Sequence, residues 1–357
     1  MRIERHIAFW AAAFLVFVGL LWLLHHILLP FVVGAALAYL LDPLANRLAK
    51  RGVSRLVAAL LILGGFVLVF VGLFVVVVPV LVGQFSAFIE HLPGYVQRLQ
   101  ALVSDPSRPW IHEIFGNAPN SDWSFGVLLN KFAGYMTEAL PSLLTKGEAL
   151  LSVLSLFVIT PVVAFYLLSD WNRVVNSLDG LIPVKQRETV RGLARQINAA
   201  ISGYLHGQFI VCVILGCYYA FGLTMVGLSF GLLIGAVSGL LTFIPYVGSL
   251  TALVVSTGVA CAEFFPDWKR IAVVVGVVLF GQFLEGNVLS PKLVGQSAGL
   301  HPVWLIFALL TFGYLFGFVG LLLAVPIAAA AGVLIRFAVA RYRASPLYTG
   351  NPPSNVP

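Results

Sequence analysis

The sequence predicts an all-α, polytopic membrane protein of about eight transmembrane helices, some broken or re-entrant, with an amphipathic helical external insertion. Three observations carry that prediction. Of the 357 residues, 60% are hydrophobic and only 10% charged, and the mean hydropathy is +0.99, whereas a water-soluble globule carries charge on about a quarter of its residues. Apolar stretches recur at the roughly 20-residue length that a helix needs to cross a hydrocarbon core. The 21 basic residues outnumber 14 acidic ones, and they gather at the ends of apolar runs, where they report orientation against the bilayer and not affinity for nucleic acid. A soluble enzyme is excluded. Cys212, Cys217 and Cys261 all lie within apolar stretches without a CxxC spacing, so they read as small packing residues and not as a disulfide or zinc framework.

Taken in order, the first run extends from Ile7 to Leu29 behind Arg2 and Arg5. It is too long for a secretory signal and leads through Pro30 into a second apolar segment, Phe31 to Leu41, so it is read as an anchor. Asp42 and Pro43 end that segment, and the loop carrying Arg47, Lys50, Arg51 and Arg55 belongs on the cytoplasmic side. A third run, Leu56 to Val82, leads outward and completes a first region, residues 1–82. Residues 83–147 carry four basic against five acidic side chains, which fits an external domain. Apolar positions at threes and fours from Phe85 to Val103 and from Phe125 to Leu144 predict two amphipathic helices, separated by a loop with Pro106, Pro109 and Pro119. The stripe either buries against its own bundle or a sister subunit, or binds a partner.

Residues 148–169 form the fourth crossing. Residues 170–206 carry five basic against three acidic residues and are cytoplasmic; the stripe Val190, Leu193, Ile197, Ile201 and Leu205 predicts a helix lying in the inner headgroup layer. Residues 207–343 form a C-terminal bundle with broken helices, starting with a crossing from Gly207 to Val226. The apolar run from Leu228 to Glu263 has 36 residues, roughly 54 Å as one helix against a core near 30 Å, so it must break or bend at Phe243-Ile244-Pro245-Tyr246-Val247-Gly248. Ile271 to Leu289 follows, and then Val303 to Ala340, again overlong and interrupted by Gly313, Gly317, Gly320 and Pro326. If each run crosses once, Lys269 and Arg270 face inward and Lys292 outward; if the overlong runs are re-entrant hairpins, these sides swap. The positive-inside count favours single crossings by one charge. Residues 344–357 read as a disordered tail.

Polar residues away from helix ends are the informative ones in lipid, because each costs several kcal/mol unless it meets a partner or water. Glu285 is the foremost candidate, beside Gln282 and Asn287 and near a glycine and a proline that can unwind the backbone; Pro245 and Gly248 mark a second break. The plainer alternative pairs Glu285 with Lys292. Thr160 and Pro161 interrupt the fourth crossing and can line a cavity or simply bend the helix, and Asp42 reads as a helix-end or salt-bridge residue. His25, His26 and His301 lack metal-ligand spacing, so no metal is expected. No Walker loop or intramembrane acid pair in a Gly-x-Gly-Asp setting is present, so no cofactor, ATP use or catalysis is expected, and any transport draws on a gradient or a separate subunit.

Several blocks together resemble the autoinducer-2 exporter family of bacterial membrane permeases. They are Pro30-Phe31 with Tyr39, Pro43 and Gly52 to Arg55; Thr160-Pro161 with Phe165, Tyr166 and Asp170; Gly239 to Gly248; Glu285 to Lys292 with Gly295; and Leu300-His301-Pro302 leading to Gly313, Gly317, Gly320 and Pro326. The similarity spans about Ile7 to Arg343. It implies an inner-membrane permease with cytoplasmic termini and a large loop between its third and fourth helices, assembled as a homo-oligomer with a pentamer expected. The function expected is secondary transport of a small polar solute resembling autoinducer-2. A sodium or other cation/proton antiporter is the alternative, and a non-transporting membrane scaffold a further one. The partners expected are the lipid bilayer, that solute or cation, and sister subunits, with no nucleic acid.

Overall fold

The computed structural model describes residues 16, 19–20, 23–24, 27–103, 147–294, 301–345 and 348. Most of the first apolar run, His25, His26, the 104–146 stretch with its proline loop and second amphipathic helix, Gly295, Leu300 and most of the tail lie outside them. The described chain is all-α. Its helices are α1 (Leu28–Ala49), α2 (Arg55–Val103), α3 (Gly147–Gly180), α4 (Arg187–Met225), α5 (Gly231–Leu241), α6 (Val247–Phe264), α7 (Trp268–Leu284) and α8 (Pro302–Arg343); a 3-10 turn, Val184–Gln186, precedes α4, and a π-helical stretch, Glu285–Val294, extends α7. Seven described helices are long and apolar enough to cross a membrane, so the protein is a multi-pass membrane protein.

Several helices run further than the sequence segments expected of them. Pro43 lies inside α1, which runs on to Ala49. α2 continues through Pro79 and Pro93 as one helix of 49 residues, and α4 is continuous from Arg187 through Gly207 into the crossing. Leu68 and Val69 of α2 are 76% and 73% exposed, as expected of side chains whose solvent is lipid, and in that setting prolines persist because neighbouring groups re-satisfy the backbone. Where the chain does reverse, special backbone marks the place. Gly317 has φ 58° and ψ −137° inside α8, a conformation open to glycine and closed to residues with a Cβ.

The two overlong runs are hairpins, which overturns the single-crossing assignment favoured by charge counting. α5 and α6 lie antiparallel. At their open end the Ser229 N–H donates to Glu263 Oε2 at 3.1 Å, and the Ser229 hydroxyl donates to Oε1; at the closed end a Cβ on Gly248 would strike the backbone of Thr242. In α8 a Cβ on Gly320 would strike the Phe312 carbonyl, and one on Gly313 would come within 2.9 Å of Leu321 Cδ2. Residues eight apart meet only if the helix folds back at Gly317. The margin of one charge was overruled by two glycine-permitted reversals.

The described residues fall into two compact units, one drawn from Met1–Gly65, Ser155–Gly207 and Leu293–Pro357, the other from Phe66–Leu154 and Gln208–Lys292. In the first, α1 and α3 cross so closely that a Cβ on Gly34 would lie 2.9 Å from the Thr160 carbonyl oxygen and from Val163. Nearby, Arg55 donates to Asp42 and Asn46 at 2.8 Å each and to the Leu168 carbonyl at 3.0 Å, tying α1, the start of α2 and α3 together. Tyr39 donates to Asn198 of α4 at 3.1 Å, and His206 Nε2 lies 3.2 Å from the Leu40 carbonyl.

In the second unit, α5 seats on α4 along Gly231, Gly235 and Gly239. A Cβ on each would meet the backbone of Leu223, Ala220 and Gly216, respectively. Glycines four apart form one bare helical face, and in lipid, where no hydrophobic drive pulls helices together, such a face allows the close contact on which association depends. The open end of the hairpin is held by α2. Gln84 Oε1 accepts from the Leu233 N–H at 3.0 Å, Phe88 meets the Phe230 ring edge-to-face at 5.5 Å, and Arg98 donates to the Ala262 carbonyl at 3.5 Å.

Candidate functional site: the hairpin tip

Between α5 and α6 the chain turns through residues 242–246, and the turn releases carbonyls from helical pairing. Pro245 brings no N–H to that turn, and Gly248 allows the chain to close against Thr242. Tyr246 sits at φ 68°, a left-handed conformation that costs a non-glycine residue about 1–3 kcal/mol and persists only when its surroundings enforce it.

Two glutamines bind the flanks of this turn. Gln208 of α4, 7% exposed, donates its amide to the Thr242 carbonyl at 2.5 Å. Gln282 of α7 donates to the Ser249 carbonyl at 3.3 Å. One amide therefore binds each flank of the tip, from two different helices. Thr242, 1% exposed, turns its own hydroxyl back to the Ser238 carbonyl at 2.9 Å.

Glu285 stands one turn beyond Gln282, at the point where α7 changes from α- to π-helical pairing. The wider π turn occurs mostly in short pieces at functional sites. Glu285 is half-buried and makes no ion pair with Lys292, and no hydrogen bond to its side chain occurs among the described residues. The Tyr219 ring packs on Gly281, so closely that a Cβ there would overlap it. The buried Tyr219 and Ser238 hydroxyls lack hydrogen-bond partners among the described residues, a state that costs about 1–3 kcal/mol for each.

Of the residues singled out in the sequence, Pro245, Gly248, Gln282, Glu285 and Asn287 belong to this unit, while Thr160 and Pro161 belong to the other. Asn287 is exposed and donates to the Phe283 carbonyl of its own helix at 3.1 Å. Thr160 is buried and donates to the Pro30 carbonyl at 3.3 Å, and α3 runs on through Pro161. His301 caps α8, its Nδ1 accepting from the Val303 N–H. Among the described residues no cluster of three His, Cys, Asp or Glu side chains could hold a metal. Gln208, Ser238 and Tyr219 escaped the sequence reading. A lone glutamine at the edge of an apolar run carries no signal until its partner carbonyl is known, although the four-residue glycine spacing in α5 marked the face that brings α4 near.

The sequence model of the AI-2E family transporters matches residues 11–340. The chain belongs to that family. YrrI of Bacillus subtilis, named as a transport protein, is 30% identical over 87% of this chain and 86% of its own length. PerM of Escherichia coli K12, named as a permease, is 27% identical over 87% of each, and MT0215 of Mycobacterium tuberculosis, named as a transport protein, is 29% identical over 90% of this chain and 88% of its own. Membership of this transporter family agrees with a chain whose polar groups gather at a helix break inside apolar surroundings.

Proposed function

We propose that this AI-2E family member is a secondary transporter of a small, oxygen-rich polar solute of the autoinducer-2 kind, and that the solute passes the α5–α6 tip. The single observation that supports this most is the pair of glutamine amides held on tip carbonyls, with the unpaired Glu285 one turn away. Backbone carbonyls freed at a break, amide donors and one acid are the groups with which broken-helix transporters replace a solute's hydration shell. A solute hydroxyl can take the place of either amide at its carbonyl, and Glu285 can accept from the solute or carry a proton with it. The chain lies in the inner membrane with both termini cytoplasmic. The hairpin then enters from outside, beside the outer end of α2, which places Lys269 and Arg270 outside and Lys292 inside.

Proteoliposome flux tests the reading. Glu285→Gln is expected to abolish pH-dependent efflux of the organic solute while leaving sodium movement at the protein-free level. Loss of pH-coupled sodium movement in the same variant would instead assign cation/proton antiport. Wild-type vesicles tight to both would refute transport through this chain alone.

A further inference from the structure

In the first unit, the end of α3, the turn after it and the first turns of α4 enclose an open cleft of about 1160 Å³. Its charged lining is Arg187, Arg191 and Arg195, one face of α4 at four-residue spacing, against Asp179 and Glu188. Arg191 is already spent. It holds Asp179 through two parallel bonds of 2.7 and 2.5 Å. Arg187 and Arg195 make no ion pair or hydrogen bond through their side chains among the described residues, and Arg187 Nε is buried without an acceptor. With the exposed Glu188 and the Arg191-bound Asp179 as its acids, the cleft presents two guanidinium groups without a hydrogen-bond or ion-pair partner among the described residues.

The rest of the cleft specifies what they receive. Its wall is aromatic, with Tyr39 and Trp171 edge-to-face at 5.7 Å, the amphipathic ring types that settle at headgroup level. Its rim is apolar and uncovered: Leu178 and Val184 are 59% and 80% exposed. A free anion has no use for such a rim, but acyl chains do. Guanidinium forks match phosphate oxygens bidentately. We infer that this cleft is a binding site for the headgroup of an anionic phospholipid, the phosphate held by Arg187 and Arg195 and the chains lying over the leucine and valine rim.

Native mass spectrometry of the full-length protein in detergent, titrated with phosphatidylglycerol, phosphatidylcholine or sn-glycerol 3-phosphate, tests this. Wild type is expected to retain phosphatidylglycerol in preference to phosphatidylcholine and to ignore glycerol phosphate. Arg187→Gln with Arg195→Gln is expected to weaken the tightest phosphatidylglycerol site by about tenfold or more, the scale of a lost charge-assisted hydrogen bond, while Arg187→Lys with Arg195→Lys keeps part of it. Equal retention of the two lipids by wild type would overturn the inference without reliance on any variant. Glycerol phosphate bound as tightly as the lipid would assign the arginines to a soluble phosphate ester and refute the lipid site. Unchanged phosphatidylglycerol affinity in the glutamine variant would refute it as well.

Discussion

The seating of α5 on α4 makes a graded prediction that needs only one methyl group at a time. A Cβ added at Gly258, midway along α6, meets nothing within 4 Å; one at Gly222 lies 2.9 Å from Val277 Cγ1; one at Gly235 falls inside the backbone of Ala220 and Tyr219. Ordinary contact begins at 3.4 Å. Gly258→Ala therefore removes backbone freedom and adds no clash, and it is expected to be neutral or to stabilise by up to about 1 kcal/mol. Gly222→Ala asks a valine methyl to give by half an ångström, at about 1 kcal/mol, the low end of overpacking costs. Gly235→Ala has no side chain to displace, only two helix backbones to part, so its cost lies at or beyond about 3 kcal/mol, the upper end of that range. Thermal unfolding in one detergent, followed by loss of the monodisperse chromatographic peak, reads the order Gly258→Ala, Gly222→Ala, Gly235→Ala from most to least stable. If Gly235→Ala matched Gly258→Ala, the glycine face would not be the contact between these helices, and the placement of the tip beside Gln208 would fall with it.

Other predictions follow from single contacts. Gln208→Ala and Gln282→Ala should both lower solute flux in proteoliposomes, and Gln208→Ala more, because its bond is shorter and buried, at 2.5 Å against 3.3 Å; flux equal to wild type in both would remove the tip from the pathway. Arg55→Gln leaves the half-buried Asp42 carboxylate without its cation and should destabilise by about 3 kcal/mol in the same unfolding assay, whereas Thr160→Val, which loses one bond of 3.3 Å to the Pro30 carbonyl, should cost about 1 kcal/mol and spare flux. In a background with Cys212, Cys217 and Cys261 replaced by serine, Arg270→Cys should react with an impermeant maleimide from outside intact cells and Lys292→Cys only after permeabilisation. The reverse pattern would restore single crossings.

How much of this was legible beforehand differs by feature, and the difference is physical. The break at Pro245 to Gly248 was readable because 36 apolar residues cannot span one bilayer as a straight helix. The direction taken after the break was not, since Lys269, Arg270 and Lys292 weigh too little to outvote packing, and it is the Ser229 to Glu263 bond and the contacts of Gln84, Phe88 and Arg98 that show both ends of the hairpin on one side. Proline misled at position 43, which lies inside a helix, because a rule learned from water-exposed helices overstates the penalty where neighbouring helices satisfy the freed carbonyl. Glu285 was singled out because an acid in an apolar run is conspicuous. Gln208 was missed because an amide beside a likewise polar His206 looks like a helix end, and only the fold brings it to Thr242.

The hairpin is not held equally at its two ends, and that asymmetry bears on how a solute could move past it. Its base combines a carboxylate accepting two bonds from Ser229, a capping glutamine and an edge-to-face aromatic contact on Phe230, itself at φ 62°. Charge-assisted bonds are roughly twice as strong as neutral ones, so the base is the fixed end. The tip is held by two neutral amide-to-carbonyl bonds and carries a strained Tyr246, which is 48% exposed. Each neutral bond contributes about 1 kcal/mol net, and a solute hydroxyl donating to the same carbonyl replaces it at almost no difference in energy. Solute binding and release of the tip are then one exchange of donors, with the base undisturbed. Strengthening the tip should therefore slow transport without harming the fold: a disulfide joining Gln282→Cys to Ser249→Cys is expected to stop flux under oxidising conditions and restore it on reduction, and undiminished flux in the oxidised protein would show that the tip need not let go.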